Sequence, residues 1–281
     1  MDHLSSSQID QYLRCPLKYR YQRIDRIQPT FVSSALVFGG AIHAALEWMH
    51  GELMRGKELS LDTACRIFNS DWYSQKLDLP IRFKEDEDEA SLFALGKEML
   101  RQYAAMKHGQ VKGCEVAFTV PLVHPETRED LGVTLDGYID TVEADPEGGD
   151  AIVEYKTSGQ TFSQNDIDVR LQLTAYSYAY ATLHRKIPKS FKVVTFLKYK
   201  KPRIHVMETT RAEKDHAGFF EVAKGVLNGI RAGVFPPHPG FWCGDCEYRA
   251  ICPLWQRSKE QQRKEKEVAA NHAMAQLALG R

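Results

Sequence analysis

The sequence predicts an α/β (α+β) protein, a mixed central sheet flanked by helices. Three observations carry that expectation. A mostly helical stretch covers about residues 39–110. From residue 115 the apolar pattern switches to strand-like alternation. The order that follows, three strands, a helix and a strand, suits a sheet with helices on its faces. Taken in order, Ser5 to Arg14 reads as a short helix, with Ser5 and Gln8 at capping-box spacing and Pro16 stopping it. Strands are expected at Glu115–Val123, Val133–Glu143 and Ala151–Thr157, the last after the turn Gly148-Gly149-Asp150. A helix is expected at Asp166–His184, then strands at Lys192–Lys200 and, after Pro202, Ile204–Thr209. The segment Gln256–Arg281, rich in Lys, Glu, Gln and Ala, reads as a charged helical tail, solvated or docking a partner. One domain over residues 1–255 is expected, with the helical part at 39–110 and the chemical core at 111–210.

Composition excludes several classes. Of 281 residues, 43% are hydrophobic and 26% charged, which rules out collagen, coiled coil and wholesale disorder. Lys+Arg and Asp+Glu both number 37, so a uniformly basic nucleic-acid coat is out, though a local basic groove is not. No apolar run reaches the roughly 18 residues of a membrane helix. The polar start Met1-Asp2-His3 is unlike a signal peptide. Six cysteines without such a signal point to thiols in a reducing compartment, hence a cytoplasmic protein.

The chemistry concentrates in the second and third strands. Side chains alternate along a strand, so Glu154 and Lys156 share one face while Val153 and Tyr155 take the other. Asp140 lies 14 residues before Glu154 with a turn between, so antiparallel neighbours can bring the two carboxylates together. Such a pair binds a hard cation such as Mg²⁺ through oxygen, leaving places for water and phosphate. A lysine beside it can orient the water and counter negative charge in the transition state. Glu-x-Lys alone is an ordinary solvated pair; Asp140 is what raises it above that. Asp136, on the same face as Asp140, is a rival or second ligand.

Cysteines form the other cluster. Cys243, Cys246 and Cys252 follow C-x2-C-x5-C with Pro253 behind. Three thiolates leave a tetrahedral centre one ligand short. Cys65 and Cys114 sit in patterns where a small buried apolar residue is the ordinary reading. Cys15, followed by Pro16 among basic and aromatic residues, is the candidate fourth. A site joining residue 15 to residues 243–252 would staple the two ends of the domain. Zinc and an iron–sulfur cluster both accept four thiolates; one C-x2-C with two singletons, rather than two paired knuckles, favours the cluster.

Asp140, Glu154-x-Lys156 and the flanking Gly137-Tyr138-Ile139-Asp140 and Glu154-Tyr155-Lys156-Thr157 resemble the PD-(D/E)XK nuclease motif in its RecB-like form, with Ile139 where the strict motif has proline. Leu4-Ser5-Ser6-Ser7-Gln8-Ile9 before Cys15-Pro16 is similar to that family's opening helix. Gly39-Gly40-Ala41-Ile42-His43 is similar to its helix with a metal-binding histidine, and Gln172-Leu173-x-x-Tyr176 to the helix after the motif. With the cysteines, the resemblance extends to the [4Fe-4S] subset, which includes CRISPR-associated RecB-like exonucleases and the AddB nuclease domain. It spans residues 4–253. It implies a restriction-endonuclease-like core and hydrolysis of DNA by an exonuclease acting on single-stranded ends. The implied metal, Mg²⁺ or Mn²⁺, is held by His43, Asp140, Glu154 and the carbonyl of Tyr155. Lys156 positions water, and Gln172 and Tyr176 face the active site. Cys15, Cys243, Cys246 and Cys252 hold the cluster. Implied partners are DNA and helicase, recombination or CRISPR adaptation proteins. Glu47, one turn after His43, could assist, whereas His50 reads as a surface residue.

Zero net charge hides segregation. Residues 185–203 carry eight cations and no acid, and residues 14–26 carry five cations against Asp25. Tyr12, Tyr19 and Tyr21 interleave with the second group, which suits bases stacking on rings while cations meet phosphates. The run Glu85-Asp86-Glu87-Asp88-Glu89 reads as a solvated loop or a gate repelling DNA. The rival reading is a catalytically silent iron–sulfur DNA-binding or adaptor protein of the same fold; the complete Asp-Glu-Lys set argues against it.

Overall fold

The computed structural model describes residues 1–76, 79–256 and 263; the expected tail helix lies, beyond residue 256, outside them. Two compact units emerge, Met1–Asp10 with Phe31–Gly233, and Gln11–Thr30 with Val234–Arg281. In chain order the elements are β1 (His3–Leu4), α1 (Ser6–Arg14), α2 (Pro16–Tyr19) running into a π turn at Arg20–Ile24, β2 (Val32–Ser33), α3 (Ser34–Met54), α4 (Leu61–Lys76), β3 (Ile81–Arg82) and α5 (Glu89–Ala104). Then come β4 (Val111–Val123), β5 (Asp130–Ala144), β6 (Asp150–Ser158), α6 (Gln164–Asp168), α7 (Leu171–His184), β7 (Ser190–Leu197), β8 (Arg203–Thr209) and α8 (Glu213–Arg231). No helix among the described residues is long and apolar enough to cross a membrane.

The large unit is built on a six-stranded mixed sheet in the order β1-β5-β6-β7-β8, with β4 also on β5. β4–β5, β5–β6 and β7–β8 are antiparallel, while β6–β7 is parallel across the α6–α7 crossover. Val153 and Tyr155 of β6 enter a core with Val37, Phe38 and Ile42 of α3, Phe68 and Trp72 of α4, and Leu100 of α5. α7 packs on β4 and β5, with α8 against it. This is the mixed sheet with flanking helices that the alternation predicts. β6 is buried from Asp150 through Tyr155, as a parallel-paired strand covered on both faces must be.

Several expectations are corrected. The helix expected over Asp166–His184 is broken at Val169-Arg170. Ser163 and Asp166 cap α6 reciprocally, and Arg170 is extended, with ψ 111°. The buried Arg211 guanidinium donates to the carbonyl oxygens of Ile167 (2.9 Å) and Arg170 (3.3 Å), which an unbroken helix would satisfy itself. α8 was missing from the predicted order, although Phe219, Phe220, Ala223, Val226, Leu227 and Ile230 have helical spacing and are buried. The acidic run is anchored rather than simply solvated. Glu87 accepts from the Ser34 hydroxyl (2.7 Å) and faces Lys198 at 3.8 Å, Asp88 caps α5, and Glu89 pairs with Lys76. Half of the basic stretch 185–203 is ion-paired: Lys186 to Asp150, Lys189 to Glu147, Lys192 to Glu143 and Lys198 to Glu87. Cys65 and Cys114 are half-buried.

In the small unit α2 begins on Pro16, whose missing N–H costs nothing at a first helical position. Tyr12 and Tyr19 are buried, not available for bases. Their rings meet edge-on at 5.6 Å, and Tyr19 stacks on Phe235. The Tyr12 hydroxyl donates to the Val234 carbonyl (2.7 Å), Lys18 pairs with Glu247 (2.8 Å), and the Tyr248 hydroxyl donates to the Ile27 carbonyl (3.0 Å).

His50 is a fully buried group, 1% exposed, rather than a surface one. Its Nε2 lies 2.8 Å from the Tyr103 hydroxyl and 3.1 Å from that of Tyr155, and its Nδ1 is 3.1 Å from the Thr141 hydroxyl. Burial, helped by the charges of His108 and His43, pulls its pKa down to about 3. Unfolded histidine titrates near 6.5, so the unfolded chain takes up a proton that the folded chain refuses. Stability from this site is therefore full above about pH 6.5 and falls as pH drops toward 3, at up to about 1.4 kcal/mol per pH unit. Urea unfolding at about pH 7 and pH 4.5 is expected to show about 2–3 kcal/mol less pH-dependent loss in His50→Gln than in wild type. Equal losses in the two proteins would refute this.

Candidate active site and cysteine pocket

The site forms where β5 and β6 part. Their last backbone pair toward this end is Thr141 with Val153. Beyond it the Tyr155 N–H donates to Asp140 Oδ2 at 2.9 Å, a carboxylate standing in for the missing ladder partner. The Tyr155 carbonyl oxygen lies 3.1 Å from His43 Nε2 and accepts its hydrogen bond in the tautomer protonated there. Nδ1 then faces Asp140 Oδ2 at 3.9 Å. On β4, Cys114 pairs with Thr141 and Val116 with Ile139, which sets Glu115 opposite Asp140. Glu115 is in the left-handed region, at φ 45°, a strained conformation for a side-chain-bearing residue. One ligand atom each from His43, Glu115 and Asp140 lies within 4.8 Å of the others. Glu154 and Lys156 share a face, as strand alternation requires, and are ion-paired through Glu154 Oε1. Glu154 is 1% exposed and its Oε2 has no hydrogen-bond partner.

Electrostatics reflect crowding of like charge. Burial, then Glu154, pushes the Asp140 carboxyl well above the ordinary carboxylate range, against the pull of the Tyr155 N–H and Lys156. Burial, with Glu47 and Glu154, raises Glu115 to about 6. Burial also lowers His43, so its ring is neutral and able to ligate. Two carboxylates and an imidazole, with a further buried and unpartnered carboxylate oxygen nearby, suit a hard divalent cation such as Mg²⁺ or Mn²⁺.

Of the residues expected here, His43 and Asp140 come together with Glu115, and the Tyr155 backbone bonds both; Glu154 stands outside that group, paired with Lys156 and acting on Asp140 through its charge. Asp136 does not join the His43–Glu115–Asp140 group. Gln172 Nε2 donates to the Tyr176 hydroxyl at 2.9 Å, one turn along α7. Burial, then the charges of Glu154 and Asp140, opposes ionisation of Tyr176, so its ring faces the carboxylates as a neutral phenol. Phe118 meets Tyr176 edge-on at 6.1 Å. A Cβ at Gly137 would come within 2.6 Å of the Phe118 ring. Glu115 is the residue that sequence reasoning missed. Its signal was an acid at the start of a strand whose inward positions are Phe118, Val120 and Leu122, but only the register shows that it meets Asp140.

In the small unit, Cys15, Cys243, Cys246 and Cys252 line one pocket with Tyr21, Trp242 and Tyr248. Burial raises the Cys246 thiol. Among the described residues no three of these sulfurs lie within 4.8 Å of one another.

A profile of the PD-(D/E)XK nuclease superfamily matches residues 3–253. The chain is similar to the "Gene 69 protein" of Mycobacterium phage D29, 25% identical over 272 residues, and to that of Mycobacterium phage L5, 26% identical over 292 residues. Each alignment covers 89% of this chain and 96% of the phage protein. Among solved structures it resembles a protein of Eubacterium rectale, provisionally named an exonuclease. The TM-score is 0.53 at 13% identity, over 91% of this chain and 88% of that one, a likeness of fold. The matched stretch runs from β1 through the three-cysteine segment at 243–252 and includes every residue of the β4–β5–β6 site: the chain belongs to the PD-(D/E)XK nuclease superfamily.

Proposed function

We propose that this nuclease is a RecB-like deoxyribonuclease that uses Mg²⁺ or Mn²⁺, degrades DNA from single-stranded ends, and carries a [4Fe-4S] cluster in its small unit. The observation that carries the reading is the convergence of His43, Glu115 and Asp140 beside the Glu154–Lys156 pair. His43, Glu115 and Asp140 would hold the cation, with Glu154 Oε2 and the Tyr155 carbonyl as the further oxygen donors. A bound divalent ion supplies a lowered pKa for water and neutralises charge at the phosphate.

The chain's own groups do the rest. Glu154 Oε1 holds the Lys156 ammonium on the site's face, where its remaining N–H bonds orient water and the phosphate oxygens. As water oxygen bonds to phosphorus and the ester P–O bond breaks, that ammonium counters the growing negative charge. The Tyr155 N–H fixes Asp140, and Tyr176, buttressed by Gln172 and Phe118, closes the side of the site toward α7. Cys15, Cys243, Cys246 and Cys252 would hold the cluster, whose role is to tie residues 11–30 to residues 234–256 of the small unit. The fit is the donor set: four cysteines lining one pocket, which a cluster accepts as thiolates.

Lys156→Ala, Glu154→Ala and Glu115→Gln are each expected to slow degradation of end-labelled single-stranded DNA by at least about 100-fold, with unchanged circular dichroism. Wild-type rates in Lys156→Ala would overturn the catalytic assignment. Release of nucleotides from labelled ends, and not from a closed single-stranded circle, distinguishes exonuclease from endonuclease action.

Because burial and mutual repulsion keep Asp140 and Glu115 partly protonated near neutrality, cation binding must displace protons. Mn²⁺ affinity measured calorimetrically is expected to rise between about pH 6 and pH 8, roughly tenfold per proton displaced per pH unit. A heat signal independent of the buffer's ionisation enthalpy would contradict it.

Anaerobically purified protein is expected to be brown, with a broad visible absorption lost in Cys246→Ser. A colourless protein holding one zinc would sink the cluster.

A further inference from the structure

The small unit presents one large ring to solvent almost completely. Phe241 is 93% exposed, the highest value among the exposed large hydrophobic residues described. It is set rigidly. Phe241–Cys243 forms a 3₁₀ turn, and the segment before it, Phe235-Pro236-Pro237-His238-Pro239-Gly240, has three prolines with fixed φ. The Trp242 ring lies 5.1 Å from Phe241 and 5.5 Å from His238. Its indole N–H donates to the His238 carbonyl at 3.3 Å. A Cβ at Gly240 would stand 2.4 Å from that indole, so the close approach requires glycine. Phe241 is thus held out by its neighbours while burying little of itself.

Cations lie in the pocket that shares Trp242 with this ledge. Arg14, Lys18 and Arg249 line the adjoining pocket wall with Trp242. Across the described part of the small unit, Arg14, Lys18, Arg20, Arg23, Arg26, Arg249 and Arg263 outnumber Asp25, Asp245 and Glu247, even with Lys18 paired to Glu247 and Arg20 to Asp25. Tyr12 and Tyr19 are consumed inside the unit, Tyr21 is half-buried against Tyr248 at 5.7 Å, and Arg249 covers the half-buried Trp255; Phe241 is the most exposed ring of the described part of the unit. A second copy of the chain is a poor occupant. One phenylalanine offers about 200 Å², far below the roughly 1,000 Å² of a stable interface.

We infer that Phe241, backed by Trp242 and His238, is a stacking platform for an unpaired base of the nucleic-acid substrate, with the neighbouring cations meeting the backbone. Stacking on a ring tolerates any base but requires it to be unpaired, so the ledge confers preference for single strands. The inference rests on the single-strand reading above and adds the residue that carries it.

The test is fluorescence anisotropy of a labelled oligothymidylate and of a duplex of equal length, without divalent cation so that neither is cut. Phe241→Ala is expected to weaken single-strand binding about 5- to 100-fold and leave duplex binding within about twofold, with melting temperature and sedimentation unchanged. Phe241→Trp should restore it; Phe241→Leu, apolar but without a π face, should not. Unchanged single-strand affinity in Phe241→Ala, equal loss on duplex, rescue by leucine, or an altered oligomeric state with affinity intact would each overturn the platform. If wild type binds no single-stranded DNA, the single-strand reading falls too; if it binds and Phe241→Ala binds as well, the platform alone falls.

Discussion

The peptide unit of Tyr155 is the point on which the nuclease site depends. Its N–H donates to Asp140, its carbonyl oxygen accepts from His43 Nε2, and its phenol is fixed in a buried network with His50 and Tyr103. Both backbone groups are available because β5 and β6 stop pairing after Thr141 and Val153. A continued ladder would have used the N–H and left Asp140 without its donor. The end of a strand pair thus fixes one carboxylate and one imidazole relative to the same residue, with a precision that side chains on a loop would lack. The side chain of Tyr155 points to the other face, where the core of α3, α4 and α5 prevents the strand from sliding.

A second constraint is electrostatic. Three carboxylates, Glu115, Asp140 and Glu154, crowd a poorly solvated corner, where Lys156 and the Tyr155 N–H offset them. Such a cluster is unfavourable in isolation; in the native fold it persists because the flanking sheet and helices are packed too well to relax. The same repulsion makes the site receptive to a divalent cation. Where Asp150 lies at the other end of β6 the opposite holds. Burial opposes its charge, yet Lys112, Lys186 and Tyr180 keep its carboxyl well below the usual range. One strand therefore carries a fully compensated acid at its start and an under-compensated one at its functional end.

What the sequence disclosed follows from how local each signal is. Strand alternation placed Glu154 and Lys156 on one face and Tyr155 on the other, because parity along a strand needs no partner. The pairing of Asp140 with that strand needed only a hairpin. Glu115 escaped because its role depends on register between β4 and β5, which alternation alone does not set. His50 was misjudged because three hydroxyls from α5, β5 and β6 satisfy it, and none is its sequence neighbour. The burial of Tyr12 and Tyr19 was equally hidden: their partner Phe235 is more than two hundred residues away. Charge runs were the poorest guide, since Lys186, Lys189, Lys192 and Lys198 find acids that composition counts separately.

Gly137, in the motif segment ending at Asp140, gives its space to the Phe118 ring, and that ring braces Tyr176. Positions 118 and 137 therefore divide a single fixed volume between two strands. Over evolutionary time they should be inherited as a unit, with a lineage that enlarges one obliged to shrink the other. The tyrosine across from them would then record the exchange, keeping its place only where the two sizes still sum to the same whole.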